Sequence, residues 1–247
     1  MMRLIQLAVL LLSVAWVPAD AARPEYGKFV GDVKVVWNAD HRTMTLLSDF
    51  KYIDPLNVTW DAPHGSTIDG ASIPKWAWSF MGGPYEGPYR KASVIHDIAC
   101  QRKTRPWESV HLAFYYAMKA EGSGDRRAKL MYAAVLLGGP RWPMTLHAER
   151  RKAGFDYQVV ALTNSAEAGF RSGSRIFLEY VLRGDKRAIS SGTPDDVMRL
   201  TKDPEVDFLR ATIIPEQPPI TEKNWPGLKA YVEKRNPSLE EIRAYKP

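Results

Sequence analysis

The sequence predicts an α+β protein: a small antiparallel β-meander, then a packed helical core, then a helical C-terminal extension. Three observations predict it. Apolar residues alternate with period two between residues 28 and 60. From about residue 72 to residue 138 they recur at helical spacing, punctuated by glycine and proline. Beyond Trp142 the pattern is mixed, with short segments that open on proline or on a capping serine.

The elements follow in order. Arg3, the apolar run Leu4 to Val17 and the small residues Ala19-Asp20-Ala21-Ala22 have the order of a secretory signal. The run is too short for a membrane span, which needs about 20 apolar residues. Residues 1–22 therefore read as a leader cleaved after Ala21 or Ala22, with an uncleaved N-terminal anchor as the alternative, and the mature chain as periplasmic or secreted. No later segment is apolar enough to span a bilayer. Phe29, Val33, Val35 and Trp37 alternate as one strand, Met44, Leu46 and Phe50 as a second after the turn at Asn38-Ala39-Asp40-His41, and Leu56, Val58 and Trp60 as a third.

Ser72 reads as an N-cap with Pro74 in the first turn of a short helix, stopped by the loop from Gly82 to Pro88. A second helix is expected from Tyr89 to Gln101. A third starts near Pro106, with Val110, Ala113, Phe114 and Ala117 on one face; a fourth carries Ala128, Met131, Tyr132 and Val135 and stops at Gly138-Gly139-Pro140. Further helices are expected around 148–154 and 174–183, after Thr193-Pro194 and after Asp203-Pro204. Pro215, Pro218 and Pro219 mark a linker, and Ser238 with Glu241 a capping box for a last helix. The chain thus divides into the leader, an α+β core over 23–146 and a helical extension over 147–247.

Composition narrows the function. Hydrophobic residues at 45% and charged residues at 25% are globular values. A formal charge of +6 and a pI near 9.3 permit attraction to an anionic envelope surface or a cell-wall component. The basic residues are dispersed, without the aromatic-interleaved stripe of a nucleic-acid binder. Cys100 is the single cysteine, so the chain forms no internal disulfide, and the same count reads against cysteine-ligated zinc sites.

The chemistry-bearing residues lie between positions 69 and 111. Asp69 sits in the loop Asp69-Gly70-Ala71-Ser72-Ile73-Pro74, His96-Asp97 on the second helix and His111 on the third. Neighbours on a helix point about 100° apart, so His96 and Asp97 share a site only by flanking a common cleft. His96 is a candidate general base. Asp97 and Asp69 are candidate ligands for a divalent metal ion in an oxygen-rich shell. His96, Asp97 and His111 form an alternative transition-metal set. The plainer reading is that His96 and Asp97 bridge packed helices. Cys100 follows His96 by one helical turn, which makes a Cys–His dyad geometrically conceivable, although a single cysteine among small apolar residues is more often core.

Thr67-Ile68-Asp69-Gly70-Ala71-Ser72-Ile73-Pro74, Trp78, Tyr89, Ala92 and Val94-Ile95-His96-Asp97 resemble the bacterial and phage domain-of-unknown-function family 1353. The likeness continues through Phe114, Ala117-Met118, Tyr132, Gly138-Gly139 and Trp142, covering about residues 28–143. It implies a compact α+β domain and no particular reaction. The family usually has an aromatic residue at position 100 and Asp at position 111, where this chain has Cys100 and His111. The site is also similar in order to that of secreted calcium-dependent phospholipases, with Gly82-Gly83, then His96-Asp97 on a helix, then position 111 on the next helix, but the cysteines and the orienting acid of those enzymes are absent here. These readings favour an envelope or extracellular hydrolase with His96 as base, Asp97 and Asp69 as metal or orienting carboxylates and His111 assisting. Their rival is a non-catalytic envelope-binding or structural protein of phage-related origin.

Overall fold

The computed structural model describes residues 24–70, 73–74, 76–77, 87–149, 175–184 and 186–247. The leader, Ser72, Trp78 and positions 82–86 of the glycine–proline loop lie outside the described residues.

The N-terminal strands do not form one meander. β1 (Lys28–Val30), β4 (Phe50–Ile53) and β5 (Thr59–Ala62) make one antiparallel sheet in the order β1-β4-β5. β2 (Val35–Trp37), β3 (Met44–Leu46) and β6 (Thr67–Ile68) make a second, in the order β2-β3-β6. The strand expected from Phe29 to Trp37 is therefore two strands in two sheets. Gly31 separates them: its φ of +83° is left-handed backbone, and a Cβ there would lie 3.0 Å from the Asp49 carbonyl oxygen. Period-two burial holds within β4, where Phe50 and Tyr52 are fully buried and Lys51 is exposed. Buried Asp54 then organises the turn into β5, accepting from the backbone N–H groups of Leu56 (2.9 Å) and Val58 (2.8 Å) and from Trp60 Nε1 (3.0 Å). Leu56 is exposed in that turn, so the third strand starts at Thr59.

The three expected core helices are present as α1 (Arg90–Arg102), α2 (Trp107–Ala120) and α3 (Asp125–Gly138). α1 packs against α2, β5 and β6, so every residue from Ala92 to Ile98 is buried. That burial on all sides places His96 and Asp97 in the interior despite their opposed directions. α1 has no side-chain cap of its own. The Glu121 carboxylate, from the end of α2, accepts from Lys91 N (3.0 Å) and Ala92 N (3.1 Å) and satisfies two of the N–H groups a helix start leaves open. α3 ends where the chain must pass close to its neighbours: a Cβ on Gly138 would fall 2.6 Å from the Trp76 ring.

The C-terminal part corrects the helical expectation. Where a helix over 174–183 is expected, residues 175–182 are a strand: β8 (Arg175–Leu182) joins β7 (Met144–Glu149), β9 (Lys186–Gly192) and β10 (Val206–Ile214) in an antiparallel sheet of order β7-β10-β8-β9. Asp203-Pro204 leads into β10 rather than starting a helix, and residues 148–149 belong to β7, with 150–154 outside the described residues. Ile176 and Leu178 face inward with Val197 and Leu200 of α4 (Pro194–Lys202) in a second hydrophobic cluster. The Arg-Ile-Phe-Leu-Glu-Tyr-Val-Leu run satisfies both periods, and cross-strand pairing on both sides decides for the strand.

Thr193 and Asp196 close a capping box at the start of α4, as Ser238 and Glu241 do for α6 (Leu239–Ala244). Trp225, Leu228 and Val232 of α5 (Trp225–Arg235) and Ile242 of α6 belong to the same core as α1, α2 and α3. Arg243 Nε donates to Tyr132 Oη at 3.0 Å, and Ile220 N donates to the Leu137 carbonyl at 3.0 Å, fastening these last residues to α3.

Candidate functional site

His96 and Asp97 serve two different clusters. His96 faces α2, where its Nε2 lies 2.8 Å from His111 Nδ1. His111 Nε2 lies 3.1 Å from the carbonyl oxygen of Pro140, just past the end of α3. A carbonyl only accepts, so His111 carries its proton on Nε2; in the neutral ring Nδ1 is then an acceptor, and His96 Nε2 must donate to it. The chain of bonds leaves the lone pair of His96 on Nδ1. Cys100, one helical turn further along α1, holds its Sγ 3.6 Å from His96 Nε2 and 3.9 Å from Nδ1.

The rings are packed into place. The His96 ring packs tilted against Phe114 with ring centroids 4.5 Å apart, and Trp107 and Trp142 close on His111 at 5.6 and 6.4 Å. His96 is 1% exposed and His111 is fully buried. Burial, reinforced by neighbouring His111, holds the His96 imidazole well below its ordinary pKa, so the ring is neutral. Beside this cluster lies an open cleft of 630 Å³, lined by Cys100, Gln101, Lys103, Ile73, Pro74 and the Gly138–Pro140 stretch. The cysteine and the Pro140 end of the bonded chain both border it.

Asp97 points the other way, to the loop after β6. Its Oδ2 accepts from Asp69 N at 2.7 Å and from Gly70 N at 3.3 Å. The Asp69 side chain is half-exposed and pairs with Arg42 at 3.6 Å. Burial pushes the Asp97 carboxyl up to about 7; the Asp69 N–H opposes the shift, while the charge and the shared hydrogen bond of the Asp69 carboxyl add to it. Asp69 thus meets Asp97, and His111 meets His96. Sequence reasoning did not find the Pro140 carbonyl, which carries no side-chain signal, and gave little weight to Cys100, whose i,i+4 spacing from His96 was the available clue. Among the described residues, His96, Cys100 and His111 each offer a ligand atom within 4.8 Å of the others, so the soft-ligand cluster sits apart from the carboxylate pair proposed for a metal.

Residues 44–135 match the family described as protein of unknown function (DUF1353). The chain is 48% identical over 108 residues to the uncharacterized protein y4jT of Sinorhizobium fredii, covering 43% of this chain and 32% of that protein. It is 40% identical over 124 residues to the uncharacterized protein y4iH of the same organism, covering 50% of this chain and 51% of that one. The chain thus spans about half, or less, of the length of these relatives. No solved structure matches it.

The raised Asp97 pKa fixes a pH dependence. The folded value, about 7, lies above the ordinary 3.8, so the folded state binds this proton more tightly than the unfolded chain does. Its contribution to stability is complete below about pH 4 and is lost as the pH rises through about 7. Thermal unfolding of wild type and Asp97→Asn from about pH 4 to about pH 8 checks this, since the variant keeps the acceptor oxygen but does not titrate. Wild type loses stability relative to the variant as the pH rises; parallel curves would show that Asp97 does not titrate there.

Proposed function

We propose that the chain is an exported acyl hydrolase of the cell envelope, with Cys100 as thiol nucleophile, His96 as its base and His111 as the group that orients the base. The observation that carries this reading is the ordered chain from the cleft inward: a thiol on the cleft wall, an imidazole beside it, and a second imidazole tied to a carbonyl that sets the proton positions. Nucleophile, base and orienting group in sequence are the recurrent arrangement for covalent acyl transfer.

In this scheme His96 Nδ1 takes the thiol proton as sulfur attacks the substrate carbonyl. The imidazolium then returns that proton to the departing alcohol or amine as the carbonyl–leaving-group bond breaks, leaving a thioester on Cys100. A water, deprotonated by the same nitrogen, attacks the thioester; the acid leaves and the thiol is restored. The neutral resting state of His96 fits a base that takes its proton during attack rather than one held in a preformed ion pair. Lys103 and Gln101 on the cleft wall suit a polar or anionic acyl compound. In this reading Asp97 holds the Asp69-Gly70 turn through two backbone N–H groups. Export rests on the N-terminal signal pattern, and the positive charge fits an anionic envelope surface.

The burial of His96 favours the rival reading, a non-catalytic envelope-binding or structural protein of phage-related origin.

A screen of lipid, peptidyl and thioester acyl donors, followed by intact-mass spectrometry, separates the two readings. The hydrolase reading expects an acyl adduct on Cys100, loss of turnover in Cys100→Ala, and a drop of about 100-fold or more in His96→Gln. Turnover that survives in Cys100→Ala would overturn the mechanism. N-terminal sequencing of the chain recovered from its producing cells tests export: a start at Ala22 or Arg23 is expected, and an intact Met1 start contradicts it.

A further inference from the structure

We propose that His96, Cys100 and His111 form a binding site for a single thiophilic divalent transition ion of the zinc class. The ligand atoms are His96 Nε2, Cys100 Sγ and His111 Nδ1, and the fourth position opens toward the cleft that Cys100 lines. The inference goes beyond the hydrolase reading and does not need it, since an ion held here would turn the thiol from nucleophile into ligand.

Three observations support it. The first is distance. A tetrahedral zinc with ordinary bond lengths sets a ligand sulfur and nitrogen about 3.6 Å apart and two ligand nitrogens about 3.3 Å apart. Cys100 Sγ and His96 Nε2 are 3.6 Å apart, and the two histidine nitrogens, now joined by a hydrogen bond, are 2.8 Å apart. Entry of the ion therefore needs the imidazoles to part by only about half an ångström, which a small ring tilt supplies. The second is the outer bond. A metal-bound histidine usually donates its other ring N–H to a carbonyl or carboxylate, which fixes the tautomer and aims the ligand. His111 Nε2 already does so, to the Pro140 carbonyl, and this leaves Nδ1 as the inward lone pair.

The third is ligand chemistry. One thiolate and two imidazoles suit zinc and its neighbours, whereas magnesium and calcium take oxygen shells. The carboxylate pair has its own partners: Asp97 Oδ2 holds two backbone N–H groups, and Asp69 pairs with Arg42. Phe114, Trp107 and Trp142 wall the two imidazoles, so the ligands are held by packing on two helices rather than by a loop. The three protein ligands with one side toward a cleft match the plan of a zinc site that retains an exchangeable position.

The proton balance is definite. On binding, the Cys100 thiol releases its proton to solvent, and the His96 ring moves its proton from Nε2 to Nδ1. One proton leaves per ion bound, and the affinity rises with pH until the thiol is ionised.

The test uses the full chain, reduced, stripped with a chelator and titrated anaerobically with cobalt(II) and then zinc(II). The expected result is saturation at one equivalent, a thiolate-to-cobalt charge-transfer band in the near ultraviolet that zinc abolishes, and release of one proton per ion by calorimetry in buffers of different ionisation enthalpy. Cys100→Ser loses the band and weakens zinc binding by about 100-fold or more, while Asp69→Asn leaves both unchanged. No saturable binding, or cobalt bound without a thiolate band, overturns the proposal; so does loss of binding in Asp69→Asn with Cys100→Ser unaffected. Because the cobalt band is read on wild type, a variant that fails to fold does not decide the result. Acyl-adduct formation on the metal-free chain is scored separately, so the site and the hydrolase reading can fail independently.

Discussion

The hydrogen bond between His96 and His111 holds the centre of this molecule, because it joins α1 to α2 and, through the Pro140 carbonyl, to the end of α3. Two buried imidazoles side by side are stable only if their proton positions agree, since a clash of two lone pairs or two N–H groups would leave a buried polar group unmatched. The carbonyl removes the ambiguity. A main-chain oxygen cannot change its role, so the direction of each bond inward from Pro140 follows from it. That is why the His96 lone pair stays on Nδ1, away from the second histidine.

The neighbouring Asp97 depends on the same helix and does a different task. Residues 100° apart on α1 face different layers, and α1 is covered on both. One layer receives an imidazole and a thiol; the other receives a carboxylate that gathers the backbone N–H groups of the Asp69-Gly70 turn. Glu121 sets the start of α1 from outside, and so aligns both groups at once. The structure thus turns one dipeptide into a buried imidazole–thiol cluster and a loop anchor.

Much of this was legible in advance where the signal is local. The helices α2 and α3 announce themselves through apolar spacing at Val110, Ala113, Phe114 and Ala117 and at Ala128, Met131, Tyr132 and Val135, and the Ser238–Glu241 capping box works within four residues. The candidate residues Asp69, His96, Asp97 and His111 were visible as a group, and Asp97 with Asp69 as a pair, but the separate pairing of His96 with His111 was not. Pairing depends on which face of α1 meets which layer, and a helix buried on all sides gives no amphipathic clue. β8 fits a helix through the i,i+4 pairs Phe177/Val181 and Leu178/Leu182 as well as a strand through Ile176, Leu178, Tyr180 and Leu182, and only its pairing with β9 and β10 separates the two. Gly31 hid the division of the N-terminal strands, since period-two spacing continues across it. The two departures from the resembled family, Cys100 and His111, both meet His96, a coincidence that only the packing of α1 on α2 reveals.

The proton order in this chain is the claim on which both the thiol chemistry and the metal site stand, and long-range proton–nitrogen correlation NMR of the nitrogen-15-labelled, metal-free chain at neutral pH reads it directly. The account predicts neutral rings for both His96 and His111, each protonated on Nε2, with a through-bond coupling between His96 Nε2–H and His111 Nδ1. A His96 ring protonated on Nδ1, or an imidazolium at either position, would contradict it.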